Sequence, residues 1–132
     1  MIYWLLLLAL LGCTPSAPAP PSVSVEEQQA VATARQRLPE FRSAFQSRQP
    51  GHSYLVKVPF TQGQFTELMW VRVEELNERS LRGTLENAPV EVRTAQQGQS
   101  VTVELDQVED WLVQDATGKQ VAGGFTLELL QE

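Results

Sequence analysis

Ser53-Tyr-Leu-Val-Lys-Val-Pro-Phe60 is where the periodicity of the chain changes, and its reading decides the fold. Tyr54, Val56, Val58 and Phe60 alternate with Leu55, Lys57 and Pro59, the pattern of an extended strand with one apolar side. Gln62-Gly63 supplies a turn, and a second run follows in which Phe65, Met69, Val71 and Val73 share one side while Leu68, Trp70 and Arg72 share the other. Two such runs around a tight turn predict a hairpin.

Further along, Leu81, Gly83 and Leu85 suggest a third strand, ended by Asn87-Ala-Pro89, with Pro89 opening a short strand over Val90 to Arg93. Val101, Val103 and Leu105 alternate with Thr102 and Glu104, and Trp111 to Val113 continues the sheet after a turn. Ala116-Thr-Gly118 leads to a last strand with Phe125, Leu127 and Leu129 inward, and Gly123-Gly124 predicts a bulge or a close backbone approach on entering it. Nothing repeats at a fixed period, which excludes solenoids and propellers.

Upstream of Ser53 the period is that of a helix. Ser24-Val-Glu-Glu27 has the form of a capping box, and Val31, Ala34, Leu38, Phe41 and Phe45 recur at helical spacing. Pro39 should kink this helix or split it in two, and Gln49-Pro-Gly-His52 ends it. The expected architecture is α+β. An N-terminal amphipathic helix, kinked or split near Pro39, packs on a twisted antiparallel sheet of five to six strands or a small open barrel, all within residues 24–132.

Composition narrows the function. The chain has 132 residues, enough for one domain, with 10 Lys+Arg against 16 Asp+Glu and a net charge of −6. No nucleic-acid partner is expected of so acidic a chain, because neutralising phosphates needs a basic face. The acidity lies in the sheet segment: residues 51–132 carry six bases and thirteen acids, whereas residues 26–50 carry four Arg and three Glu. One Cys and one His exclude an internal disulfide framework and a four-ligand Cys/His zinc site.

Residues 2–11 form an apolar run too short for the roughly 20 residues of a transmembrane helix, but suited to the core of an export signal. Leu10-Leu11-Gly12-Cys13 resembles the lipobox of bacterial lipoproteins, which implies residues 1–12 as a signal peptide and lipidation of Cys13. The acyl chains so implied would exceed the two-signal requirement for stable anchoring. The competing reading is an uncleaved apolar helix with an incidental Cys, and only the initiator amine supplies charge ahead of the run. Thr14 after the Cys favours, by similarity to enteric lipoproteins, the periplasmic face of the outer membrane in a Gram-negative cell. Residues 14–22 hold four of the eight prolines and no charge, so residues 13–23 read as a lipidated Cys and an extended linker. Such a spacer holds the domain about 25–30 Å from the lipid.

Ala34-Arg-Gln-Arg-Leu-Pro-Glu-Phe41, Val56-Lys-Val58, Glu67-Leu-Met-Trp-Val71, Gly83-Thr-Leu-Glu-Asn-Ala-Pro89, Asp110-Trp111 and Gly123-Gly-Phe-Thr126 occur in an order and spacing that resemble the YegJ-like bacterial family of domains of unknown function (DUF2314). The resemblance covers about 100 residues and implies a small α+β domain with no activity to carry over. Two positions depart from it. Leu68 stands where the family commonly has His, and Gln99 where it has Asp. Either the family motif is structural or this chain has lost its chemistry.

Each candidate residue has a structural alternative. His52, the only His, belongs to a loop rather than to a general-base arrangement. No G-x-S-x-G elbow is present, and thiol chemistry is excluded if Cys13 is lipidated. Glu104, Asp106, Glu109, Asp110 and Asp115 suit a solvated edge or turn, and the D-x-[DN]-x-[DN]-G calcium loop is absent. Asn87 suits an Asx-turn before Pro89, and Asp110 suits a turn amide. Trp70 and Trp111 serve either the core or a ligand platform. Glu67, Trp70, Arg72, Asp110 and Trp111 are therefore the candidate ligand- or partner-binding residues, with no catalytic residue, cofactor or metal site expected.

Three functions follow in order. The first is a non-enzymatic, lipid-anchored envelope module that binds an envelope protein or other component. The second is an immunity-like inhibitor of a cationic partner protein. The third is a carboxylate-dependent hydrolase of wall polymers.

Overall fold

Alternation in the first hairpin sets the sheet. In the computed structural model, which describes Gly12 and residues 23–131, β1 runs Ser53–Gln62 and β2 runs Phe65–Leu76. They pair antiparallel from Leu55↔Arg72 to Gln62↔Phe65, and Gly63 turns the chain at φ 58°. β3 (Ser80–Leu85), β4 (Ser100–Glu104), β5 (Asp110–Gln114) and β6 (Gln120–Gly123) complete an open antiparallel sheet of six strands in the order β4-β3-β2-β1-β5-β6. The expected signal peptide, Cys13 and almost all of the linker lie outside the described residues.

Two helices precede the sheet, α1 (Val25–Gln36) and α2 (Leu38–Gln46), with Arg37 between them. The break has a local cause. Pro39 in the first turn of α2 has no N–H to offer the Arg35 carbonyl, so the ladder of α1 closes with the Arg37 N–H donating to the Thr33 carbonyl at 3.0 Å. At the start of α1 the Ser24 hydroxyl accepts from the Glu27 N–H at 3.1 Å, which satisfies one of the orphan donors of the first turn.

One side of the sheet and the helices make the core. Tyr54, Val56, Val58, Met69, Val71, Val73, Leu81, Leu85, Trp111 and Val113 are buried against Ala34, Phe41 and Phe45. Phe41 lies 5.7 Å from Trp111, ring centre to ring centre, and Phe45 meets Tyr54 edge-on at 5.7 Å. The Trp111 Nε1–H donates to the Ala34 carbonyl at 3.0 Å, tying β5 to α1. The other side carries Lys57, Leu68, Trp70 and Arg72, which alternate with the core residues along β1 and β2.

Two expected strands are absent. Residues 90–93 are bent, not extended into the sheet, because their N–H groups are taken by side chains of Glu67 and Gln62. Phe125, Leu127 and Leu129 do not form a last strand either. β6 ends at Gly123, where Gly123 and Gly124 take φ 74° and 75°, and residues 125–127 turn into a short 3₁₀ segment, Glu128–Gln131. Leu105 likewise leaves the strand for a 3₁₀ turn, Leu105–Gln107.

Candidate functional site

Glu67, the first acidic candidate, clamps a loop. Its carboxylate accepts from the N–H groups of Val90 at 2.9 Å, Glu91, and Val92 at 2.5 Å. Those bonds, Val90 foremost and then Val92, hold the Glu67 carboxyl below its ordinary range, since each favours the ionised form. The result is that Val92 sits buried at the end of the core. Asn87 does not form the expected Asx-turn: its Oδ1 reaches across and accepts from the Trp70 N–H at 2.6 Å, while the Glu86 N–H donates to the Trp70 carbonyl. The segments Glu67–Trp70 and Asn87–Val92 thus hold each other. Position 68 takes no part in that clamp. Leu68 lies on the opposite side of β2, 43% exposed, and Arg72 there pairs with Glu86 at 2.7 Å.

Asp110 and Trp111 make a second mutual clamp. Asp110 is fully buried, and its carboxylate accepts from the N–H groups of Trp111, Phe125 and Thr126 and from the Thr126 hydroxyl. Trp111, 1% exposed, belongs to the core and offers no surface to a ligand, which removes it as a platform. Its carbonyl accepts from the Gly124 N–H at 2.7 Å, and a Cβ on Gly123 would lie 2.2 Å from that oxygen. Gly123-Gly124 therefore serves a close backbone approach at the end of a strand.

Lys57 was not among the sequence candidates, yet the two clamps meet there. It faces Trp70 directly across the β1–β2 register, its Nζ 5.7 Å from the Trp70 ring centre. Nζ donates to Thr126 Oγ1 at 2.6 Å, and Thr126 Oγ1 donates to Asp110 Oδ2 at 2.5 Å. A cavity of about 220 Å³ opens beside this relay, lined by Ser24, Glu27, Lys57, Thr126 and leucines of the C-terminal turn. The usable sequence signal is that Lys57 carries the one charge in β1, within the apolar run from Tyr54 to Phe60.

Elsewhere, a broader cleft of about 680 Å³ lies between α2 and the loops at Glu78 and Asp106. Its arginines are occupied in holding the fold: Arg35 donates to the Val108 carbonyl and Arg42 to those of Asn77 and Glu78, each at 3.0 Å. Among the acids read as an edge or turn, Glu104 and Asp106 are exposed. Asp115 caps its own turn through Thr117 and Lys119, and bonds from Thr117 foremost hold its carboxyl below the ordinary range. His52 sits in the loop before β1. Among the described residues no group of His, Cys, Asp and Glu is placed to hold a metal ion, and no helix is long and apolar enough to cross a membrane.

A small α+β domain whose ordered motifs clamp one another in pairs is the class this geometry defines. The model of the family described as "Uncharacterized protein conserved in bacteria (DUF2314)" matches residues 25–132, and the chain belongs to that family. It is also similar to a putative ankyrin repeat protein of Neisseria meningitidis serogroup B, 33% identical over 81 residues, which are 58% of this chain and 31% of that protein. The chain thus spans about a third of that relative's length. No solved structure matches it.

Proposed function

We propose that this chain is a non-enzymatic envelope module, lipid-anchored through Cys13, that recognises a ligand or envelope partner at the surface around Lys57 and Trp70. One observation carries the reading. The two carboxylates best placed for chemistry, Glu67 and Asp110, are taken up by backbone N–H groups, whereas Lys57 lines a cavity and the half-buried Trp70 ring stands next to its ammonium. A carboxylate that accepts several such bonds is a poor general base, which weighs against the hydrolase reading. The lipobox-like Leu10-Leu11-Gly12-Cys13 and the proline-rich stretch behind it support the anchor and spacer.

Intact-mass analysis of membrane-extracted protein tests the anchor: an acylated Cys13 as first residue is expected, and a native Met1 terminus would sink it. Crosslinking capture from envelopes, comparing the native chain with folded Trp70→Ala and Arg72→Ala variants, tests the surface. Reduced recovery with Trp70→Ala is expected, and undiminished recovery with both variants overturns the surface.

A further inference from the structure

We propose that the cavity beside Lys57 binds a free apolar α-amino acid, with the ligand carboxylate on the Lys57 ammonium and the ligand ammonium on Glu27. This rests on the reading of the Lys57 surface as a recognition site and names its ligand.

Two opposite charges line the cavity without meeting. Among the described residues Lys57 Nζ makes one hydrogen bond, to Thr126 Oγ1, and no ion pair. The Glu27 carboxylate accepts no bond from the described residues either. The Glu27 N–H bonds Ser24, but the return bond of a capping box, from the Ser24 N–H to the Glu27 carboxylate, is not formed. No N···O distance of 4 Å or less joins the two groups, so they stand apart on the walls of one small cavity. An ammonium and a carboxylate that have no ion-pair partner among the described residues, facing one cavity, match a ligand that carries both charges on groups bonded to a single carbon.

Size and polarity narrow the class. At about 220 Å³ the cavity falls below the 300–1,000 Å³ of drug-sized sites and holds roughly seven waters at about 30 Å³ each. Leu127, Leu129 and Leu130 supply an apolar wall for a short aliphatic side chain.

The relay behind Lys57 explains its placement. Asp110 does not pair with Lys57; it fixes Thr126, which in turn holds Nζ by one donor and leaves two. A lysine restrained in this way loses less rotamer freedom on binding an anion than one free in solvent.

Calorimetric titration of the full chain with L-leucine, glycine, leucinamide and N-acetyl-leucine tests the assignment. Saturable leucine binding is expected, at least about tenfold weaker for leucinamide and for N-acetyl-leucine, each of which lacks one charge. Glycine should bind more weakly than leucine. Lys57→Gln, which keeps a donor for Thr126, and Glu27→Gln should each lower leucine affinity at least about tenfold with the melting temperature retained. Equal binding of N-acetyl-leucine and leucine removes the role of Glu27, and equal binding of glycine removes the apolar wall; either overturns the assignment. Absence of leucine binding up to about 10 mM also overturns it. Trp70-dependent capture of an envelope component would then still stand, because it is read independently.

Discussion

Asp110 Oδ2 accepts from both the backbone N–H of Thr126, at 2.9 Å, and the Thr126 hydroxyl, at 2.5 Å, and so joins the start of β5 to a turn sixteen residues later. Oδ1 takes the N–H groups of Trp111 and Phe125 at 2.8 and 3.1 Å. Four donors meet two anionic oxygens with no water needed.

Asp110→Asn replaces one of those oxygens by an amide that donates, which sets donor against donor in a fully buried place. A loss of about 2–3 kcal/mol is expected, read as a shift of the urea midpoint with the slope unchanged. A midpoint equal to that of the native chain would mean the turn is held by something else.

The two tryptophans of the sheet separate by burial. Trp111→Ala opens a core cavity and frees the Ala34 carbonyl, with an expected loss of about 3–5 kcal/mol. Trp70→Ala, on the side away from the helices, should lose about 1 kcal/mol. Thermal melts of both variants check the contrast, which fails if the order is reversed.

Gly123 and Gly63 both have positive φ but different surroundings. Gly63→Ala meets nothing within 4 Å and should lose about 1–2 kcal/mol from the left-handed backbone alone. Gly123→Ala adds a Cβ 2.2 Å from the Trp111 carbonyl oxygen, so the strand end must move and the loss should be clearly larger. Equal melting temperatures for the two variants would contradict the close approach.

Glu67 makes stability depend on pH. Its folded carboxyl is held below the ordinary value by the Val90, Val92 and Glu91 N–H groups, so the unfolded chain takes up the proton first as pH falls. The contribution is complete above the ordinary glutamate range near pH 4.3 and is lost as pH falls from there through the lower folded value. Glu67→Gln should lower stability at pH 7 and flatten that acid limb. Hydrogen exchange at Val90 to Val92 gives a local readout, and unchanged protection in the variant would remove the clamp.

Patterning reached the sheet and the helix face because it depends on neighbours in the chain. Tyr54, Val56 and Val58 turned inward because side chains alternate along a strand, and Phe41 and Phe45 because four residues apart on α2 they share one side. Residues 90–93 and 125–126 misled for one reason. Their N–H groups bond to carboxylates and an amide remote in sequence, as Val92 does to Glu67 and Thr126 to Asp110, and no local period records that; Leu127 and Glu128 then donate to the Gly124 carbonyl and close a turn in place of a strand. Of the five candidate binding residues, Glu67 and Asp110 are structural clamps and Trp111 is core, while Trp70 and Arg72 lie on the accessible side.

By itself the sequence determined the α+β class, the hairpin around Gly63, the inward side of β1 and the distribution of charge, since each follows from local geometry or from counting. Only the tertiary structure decided which charges are spent. Glu67, Asp110 and Lys57 all read as charges in a strand pattern; backbone donors brought from far along the chain satisfy the first two, and a single hydroxyl holds the third at the edge of a cavity.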